Sequence, residues 1–217
     1  MSRIIAGSAG GARLQTPPGE RTRPTTDRVR EALFSSLATW NGTADAGADA
    51  QLDQIAFLDL YAGSGGVGLE AASRGAGPVV LVEHDQGTAR LVRANLAHTR
   101  LQARVEVAAV DGWLQREDSR FDVIWLDPPY PFTNEQVSRT LELALARLVH
   151  NGIIVLERSS RSGEPDFPPG TEHWSKGYGE TVLHYCTPLP QDEEVPTPAD
   201  DPQQSDDPQH HDEEETA

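Results

Sequence analysis

The residues with the most specific chemistry are Asp127, Pro128, Pro129 and Tyr130, which close an apolar run that begins at Phe121. Two successive prolines fix the backbone and remove two N–H donors, so the carbonyls there are left to accept. The exocyclic amino group of a base offers the complement: two N–H donors on a planar, weakly nucleophilic nitrogen. The Asp127 carboxylate and the Pro128 carbonyl can accept those hydrogens, aim the nitrogen lone pair and stabilise charge developing on it during attack. Tyr130 can stack on the base, with Phe132 as support, and such stacking is worth roughly 1–3 kcal/mol. A Pro-Pro turn with a tyrosine packed at its rim is the plainer alternative. The glycine loop that precedes the tetrapeptide weighs against it.

That loop runs Asp59-Leu-Tyr61-Ala-Gly63-Ser64-Gly65-Gly-Val-Gly68, after one apolar run and before a helical pattern. In this context glycines let backbone approach a nucleotide-type ligand at the carboxyl end of a strand. Two further acids stand at the ends of the next two strand candidates. Glu83, followed by His84, can accept from two ribose hydroxyls, and Asp111, followed by Gly112, can reach an adenine amino group. Taken singly, each acid is as well explained by a solvated loop or a helix cap. A nicotinamide dinucleotide would use the same glycines and Glu83, with its pyrophosphate at the helix N-terminus. Asp59 argues against it, because a carboxylate before the glycines suits the cationic amino-acid end of S-adenosylmethionine and repels a pyrophosphate. The cofactor set is therefore Asp59, Tyr61, Gly63, Ser64, Gly65, Gly68, Glu83, His84, Asp111 and Gly112.

Buried strands alternating with amphipathic helices must position these residues, a pattern of α/β folds with a mostly parallel sheet. Strands are expected at Ile55–Leu60, Val79–Glu83, Val105–Ala109, Phe121–Leu126 and Gly152–Leu156, and helices at Val67–Arg74, Gln86–Thr99 and Asn134–Val149. Arg3 to Leu14 reads as a small hairpin, and Asp27 to Trp40 as a helix capped by Thr26-Asp27. Asn41 to Gln54 reads as a loop with little to bury. Glu172–Tyr178 and Thr181–Cys186 suggest a terminal antiparallel pair. Residues 1–54 thus form an N-terminal extension, 55–187 the catalytic domain and 188–217 a tail expected to be disordered.

Charge is segregated along the 217 residues. The formal net charge is −16, yet eleven of the 34 acidic residues lie after Gln191 with no Lys or Arg among them. The first forty residues are basic, and Arg3, Arg13, Arg23, Arg28 and Arg30 are candidates for phosphate contacts. Cys186 is the only cysteine, and no apolar run approaches the roughly 20 residues of a membrane span. A cytoplasmic, monomeric protein without membrane association is expected. His84, His98, His150, His173 and His184 lack metal-ligand spacing, so no metal is expected. Glu157 reads as structural, and Arg158 and Arg161 as either RNA-facing or simply solvated.

In their order, the glycine loop, Glu83, Asp111 and Asp127-Pro-Pro-Tyr130 resemble the class I S-adenosylmethionine-dependent amino-methyltransferases. The segment Arg23-Pro-Thr-Thr-Asp-Arg28-Val-Arg30-Glu31-Ala-Leu-Phe34, Arg3-Ile-Ile-Ala-Gly7 before it and Tyr178-Gly179-Glu180-Thr181 near the end narrow the likeness. Together they resemble the RsmD family of bacterial 16S ribosomal RNA guanine-N2 methyltransferases, from about Arg3 to Tyr185. The resemblance implies a Rossmann-like, seven-stranded sheet with its last strand antiparallel, S-adenosylmethionine as cofactor and the small ribosomal subunit as partner. Ser35-Ser36, the Asn41–Gln54 loop and the acidic tail depart from the family pattern. DNA adenine or cytosine amino-methyltransferases also use Asp-Pro-Pro-Tyr, but about thirty ordered residues after the fifth strand leave little room for a target-recognition module. A non-catalytic RNA-binding module would explain the arginines and leave Asp127 to Tyr130 without a reason.

Overall fold

The computed structural model describes residues 2–17 and 25–190; Arg23 and the acidic segment after residue 190 lie outside them. Helices α1 (Asp27–Trp40), α2 (Gly66–Ser73), α3 (Gln86–Thr99), α4 (Val110–Leu114) and α5 (Asn134–Leu145) pack around one large sheet. Its strands are β3 (Phe57–Leu60), β4 (Val79–Glu83), β5 (Arg104–Val107), β6 (Phe121–Leu126), β7 (Leu148–Ser159), β8 (Thr171–Tyr178) and β9 (Thr181–Pro188). Two-residue strands β1 (Ser2–Arg3) and β2 (Arg13–Leu14) pair antiparallel as the expected N-terminal hairpin. The sheet order is β5-β4-β3-β6-β7-β9-β8. Neighbours from β5 to β7 run parallel, and β9 is antiparallel to both β7 and β8.

Side chains alternate between the faces of a strand, and in this sheet the alternation sorts the core by residue parity. Phe57, Val79, Leu81, Val123, Trp125, Ile153 and Val155 face one way, where Leu33, Phe34 and Leu37 of α1, Val67 of α2 and Val92 of α3 cover them. Leu58, Leu60, Val80, Val82, Ile124, Leu126, Ile154 and Leu156 face the other way, against Val110, Trp113, Val137 and Leu141 of α4 and α5. Side-chain caps start three helices: Thr26 for α1, Asp85 for α3, and a Thr133–Gln136 capping box for α5.

The differences from the sequence reading have local causes. Helix α5 stops at Leu145 because β7 already begins at Leu148, whose side chain is needed in the core. Strand β5 covers Arg104–Val107, which frees Val110 to begin α4, a five-residue helix too short to leave a periodic signal. The 41–54 segment is less open than expected, since Leu52 is fully buried and its N–H donates to the Arg74 carbonyl.

The N-terminal hairpin is held by a buried carboxylate. Glu70 of α2 accepts from the N–H groups of Ile5 and Ala6 and from Arg74 Nε at 2.6, 3.0 and 2.9 Å. Gly7 then passes over the end of α2 at φ +83°, and a Cβ there would stand 1.9 Å from the Ser73 carbonyl oxygen. Removing the carboxylate strands two backbone donors and a buried guanidinium. Glu70→Ala should therefore lower unfolding free energy by about 3 kcal/mol or more, read from the urea midpoint at unchanged slope.

Candidate active site

Parity also decides where the acids stand. Asp59 lies in β3, Glu83 ends β4, and Asp127 follows the last residue of β6, all on the odd-numbered face at the carboxyl ends of adjacent strands. A cleft of about 340 Å³ opens there. Asp59, Tyr61, Gly63, Ser64, Glu83 and His84 line it from the cofactor set, and Asp127, Pro128, Pro129 and Tyr130 line its far side. Ser2, Pro17, Thr25 and Arg30 of the N-terminal segment complete the wall.

The glycine loop is tied to both neighbouring acids. Gly68 N–H donates to Asp59 Oδ2 at 2.8 Å, and Gly63 N–H donates to Glu83 Oε2 at 2.9 Å. Glu83 Oε1 accepts from the Asp85 N–H at 2.8 Å and lies 3.0 Å from His84 Nδ1. Gly65 and Gly68 do not line the cleft; they bring helix and strand together. At Gly68 a Cβ would come within 2.8 Å of Leu81 and 3.0 Å of the Asp59 carboxylate. Tyr61, between strand and glycines, holds a left-handed backbone with φ 64°. Such a conformation is strained for a bulky residue, and it reverses the chain at the cleft.

Several expected roles shift. Asp111 and Gly112 fall outside the cleft lining, because α4 turns Asp111 toward α5, where it accepts from Thr140 Oγ1 at 2.9 Å. Phe132 packs edge-on against Tyr61, with centroids 5.7 Å apart, and not behind Tyr130. Tyr130 is 56 % exposed at the rim. Arg30 is unsuited to the phosphate set: it is buried, and its guanidinium donates to the carbonyls of Arg3 and Gly66 and to Asp27. Arg3, Arg13 and Arg28 are not buried. Arg158, read as a surface residue, is buried on the even face and donates to the Phe132 carbonyl and Asn134 Oδ1, both at 3.1 Å. It thereby clamps the chain that follows Asp127 to Tyr130. No sequence signal marks it beyond its even position on a strand ending beside the site. Among the described residues no group of three or more His, Cys, Asp or Glu is arranged to hold a metal ion. No described helix is long and apolar enough to cross a membrane.

The acids are electrostatically loaded. Burial, followed by repulsion from Glu83, pushes Asp59 up to about 7, against the Gly68 hydrogen bond that lowers it. Burial and then the negative charges of Glu157 and Asp59 hold Asp127 well above the usual carboxylate range, and Arg158 opposes them. The arrangement suits a ligand that brings positive charge to Asp59 and hydrogen-bond donors to Asp127.

This fold and site define a class I methyltransferase. The family model described as Conserved hypothetical protein 95 matches residues 2–187, and the chain belongs to that family, the RsmD family. It is 34 % identical over 176 residues to Ribosomal RNA small subunit methyltransferase D of Escherichia coli K12, covering 80 % of this chain and 81 % of that one. The Haemophilus influenzae protein of the same name is 32 % identical over 178 residues, covering 80 % and 84 %. A solved structure of a hypothetical protein from Thermus thermophilus superposes with a TM-score of 0.71 at 32 % identity, covering 87 % of this chain and all of that one. The Thermus thermophilus 16S rRNA N2 G1207 methyltransferase, solved with AdoMet and guanosine, shares the fold at a TM-score of 0.58 and 21 % identity, covering 79 % of this chain and 44 % of that one.

An ionised Asp59 costs the ligand-free protein stability. Its raised value means that stability is fully present below the ordinary 3.8 and is lost as pH rises through about 7. Asp59→Asn keeps an acceptor for the Gly68 N–H without the charge. The variant should melt a few degrees above the parent at pH 8 without ligand, and the gap should shrink steadily between pH 7 and pH 4.

Proposed function

We propose that the protein transfers a methyl group from S-adenosylmethionine to the exocyclic N2 of a guanine in 16S ribosomal RNA of the small subunit. The observation that carries this reading is the placement of Asp127, Pro128 and Tyr130 on one wall of a cleft whose other wall is the glycine loop with Asp59 and Glu83. The named activity of the Escherichia coli and Haemophilus influenzae relatives supports the ribosomal substrate. The guanine-N2 choice draws support from the fold shared with the Thermus enzyme.

The residues fit the cofactor. Asp59 is a buried carboxylate short of positive partners, which the amino group of the methionyl end would supply. Glu83, at the next strand end, is assigned to the ribose hydroxyls, and the backbone of Gly63, Ser64 and Gly66 in the cleft lining allows close approach. When bound, S-adenosylmethionine supplies an electrophilic methyl group on a sulfonium. Asp127 and the Pro128 carbonyl accept the two N2 hydrogens and orient the lone pair, while Tyr130 stacks on the base. Transfer would form the N2–C bond as the S–C bond breaks, and Asp127 is assigned to take the proton that N2 gives up. Arg3, Arg13 and Arg28, all with access to solvent on the N-terminal segment, are assigned to phosphates.

Asp127→Ala should lower single-turnover methylation of unmodified small subunits at least about a hundredfold, with S-adenosylmethionine affinity within about twofold of the parent. Asp127→Asn, which keeps one acceptor, should retain more. The labelled nucleoside should have the mass and retention of N2-methylguanosine. Recovery of a methylated adenine or cytosine would refute the base assignment.

A further inference from the structure

The row of strand-end acids continues one strand beyond Asp127. In the register of β6 and β7, Val123, Ile124, Trp125 and Leu126 stand opposite Ile153, Ile154, Val155 and Leu156. One residue further, Asp127 stands beside Glu157, with the same parity and on the same sheet face. Glu157 is not buried structural filler: it lines two cavities on the side of Asp127 away from the glycine loop. Asp127, Pro128 and Tyr130 share the smaller of these with it, and Tyr130, Tyr178 and Thr181 share the larger. Its Oε2 accepts from Thr25 Oγ1 at 2.7 Å, so a residue just ahead of α1 fixes the carboxylate's direction.

We infer that Glu157 is the residue that selects guanine, by accepting the N1–H of the base whose N2 amino group is held by Asp127. This rests on the guanine-N2 reading above and deepens it. On guanine, N1–H and the N2 amino group are adjacent donors on one edge, and they match two carboxylates on adjacent strands. Adenine and cytosine present a bare ring nitrogen beside their amino groups. That lone pair would face the Glu157 carboxylate, leaving two acceptors opposed. Asp127 alone treats all three amino groups alike, so discrimination must come from a second group next to it, and Glu157 borders Asp127 in the smaller cavity. Burial, partly offset by the Thr25 hydrogen bond, raises the Glu157 carboxyl. A base bringing an N–H donor favours its ionised form, and a base bringing an acceptor does not.

The test uses small subunits reconstituted with either guanine or 2-aminopurine at the methylated position. 2-Aminopurine keeps the N2 amino group and replaces N1–H with a bare nitrogen. Single-turnover methylation by the parent enzyme should be about tenfold or more slower on 2-aminopurine. In Glu157→Gln, whose amide can donate to a bare nitrogen, the guanine to 2-aminopurine rate ratio should collapse several-fold toward unity. S-adenosylmethionine binding by calorimetry should stay within about twofold in this variant, which also reports that it has folded. A ratio in Glu157→Gln equal to that of the parent would overturn the assignment while leaving guanine-N2 methylation intact. A parent enzyme with no preference between the two bases would overturn it without recourse to any variant. A product other than N2-methylguanosine on unmodified subunits would overturn the inference together with the reading it rests on.

Discussion

Four parallel strands end together, and each delivers a carboxylate to the same face of the sheet. Across the sheet the order is Glu83, Asp59, Asp127, Glu157. Within this row, burial and the charges of their neighbours hold Asp59 and Asp127 above the ordinary carboxylate range, so ionising them is costly. Backbone donors from Gly63, Gly68 and Asp85 relieve the first two, Thr25 relieves the last, and Arg158 approaches Asp127 from the other side. The middle of the row, Asp59 and Asp127, keeps raised values despite these contacts. A cation at Asp59 and amino hydrogens at Asp127 relieve the same strain. On the function proposed above, substrate and cofactor recognition share one electrostatic origin.

The two faces of the sheet divide the labour. The odd face carries the acids and is covered by α1 to α3, and Ser2, Pro17 and Thr25 of the N-terminal segment close part of the cleft. The even face works by support. Arg158 grips the Phe132 carbonyl and Asn134, Phe132 packs on Tyr61, and the Tyr61 hydroxyl approaches Thr140 at 3.4 Å, which in turn bonds Asp111. That chain of contacts joins the loop after β6 to the loop after β3. The backbone on either side of the cleft is thus held as one piece, although the two loops are more than sixty residues apart in sequence.

Much of this was legible in the residues because the parallel strands are buried on both faces. Such strands appear as continuous apolar runs, and β4 and β6 fall where those runs predict. Asp127 and Pro128 were legible because two prolines after an apolar run have few other uses. What escaped reading depended on partners remote in sequence. Arg30 and Arg158 resemble surface arginines until α1 and β7 are placed, when each proves to be bonded to backbone carbonyls. Asp111 follows a strand and so reads as a ligand residue in the sequence; in the fold the short helix that Val110 begins turns it toward Thr140. Glu157 looked structural because its neighbour across the sheet is set by register, which a single chain does not display.

The antiparallel course of β9 also decides where the end of the chain leaves the molecule. Thr181 lies opposite Ser159, and both border Tyr130, whereas Pro188 lies seven residues on, beyond the Cys186–Ile154 pair and toward the opposite edge of the sheet. At about 3.3 Å per residue, the strand carries the chain roughly 25 Å from the rim before the acid-rich segment begins. The last described residues therefore lie on the side of the sheet away from the cleft. A handle or fusion partner joined directly after Pro188 would start on the side of the sheet away from the mouth of the cleft.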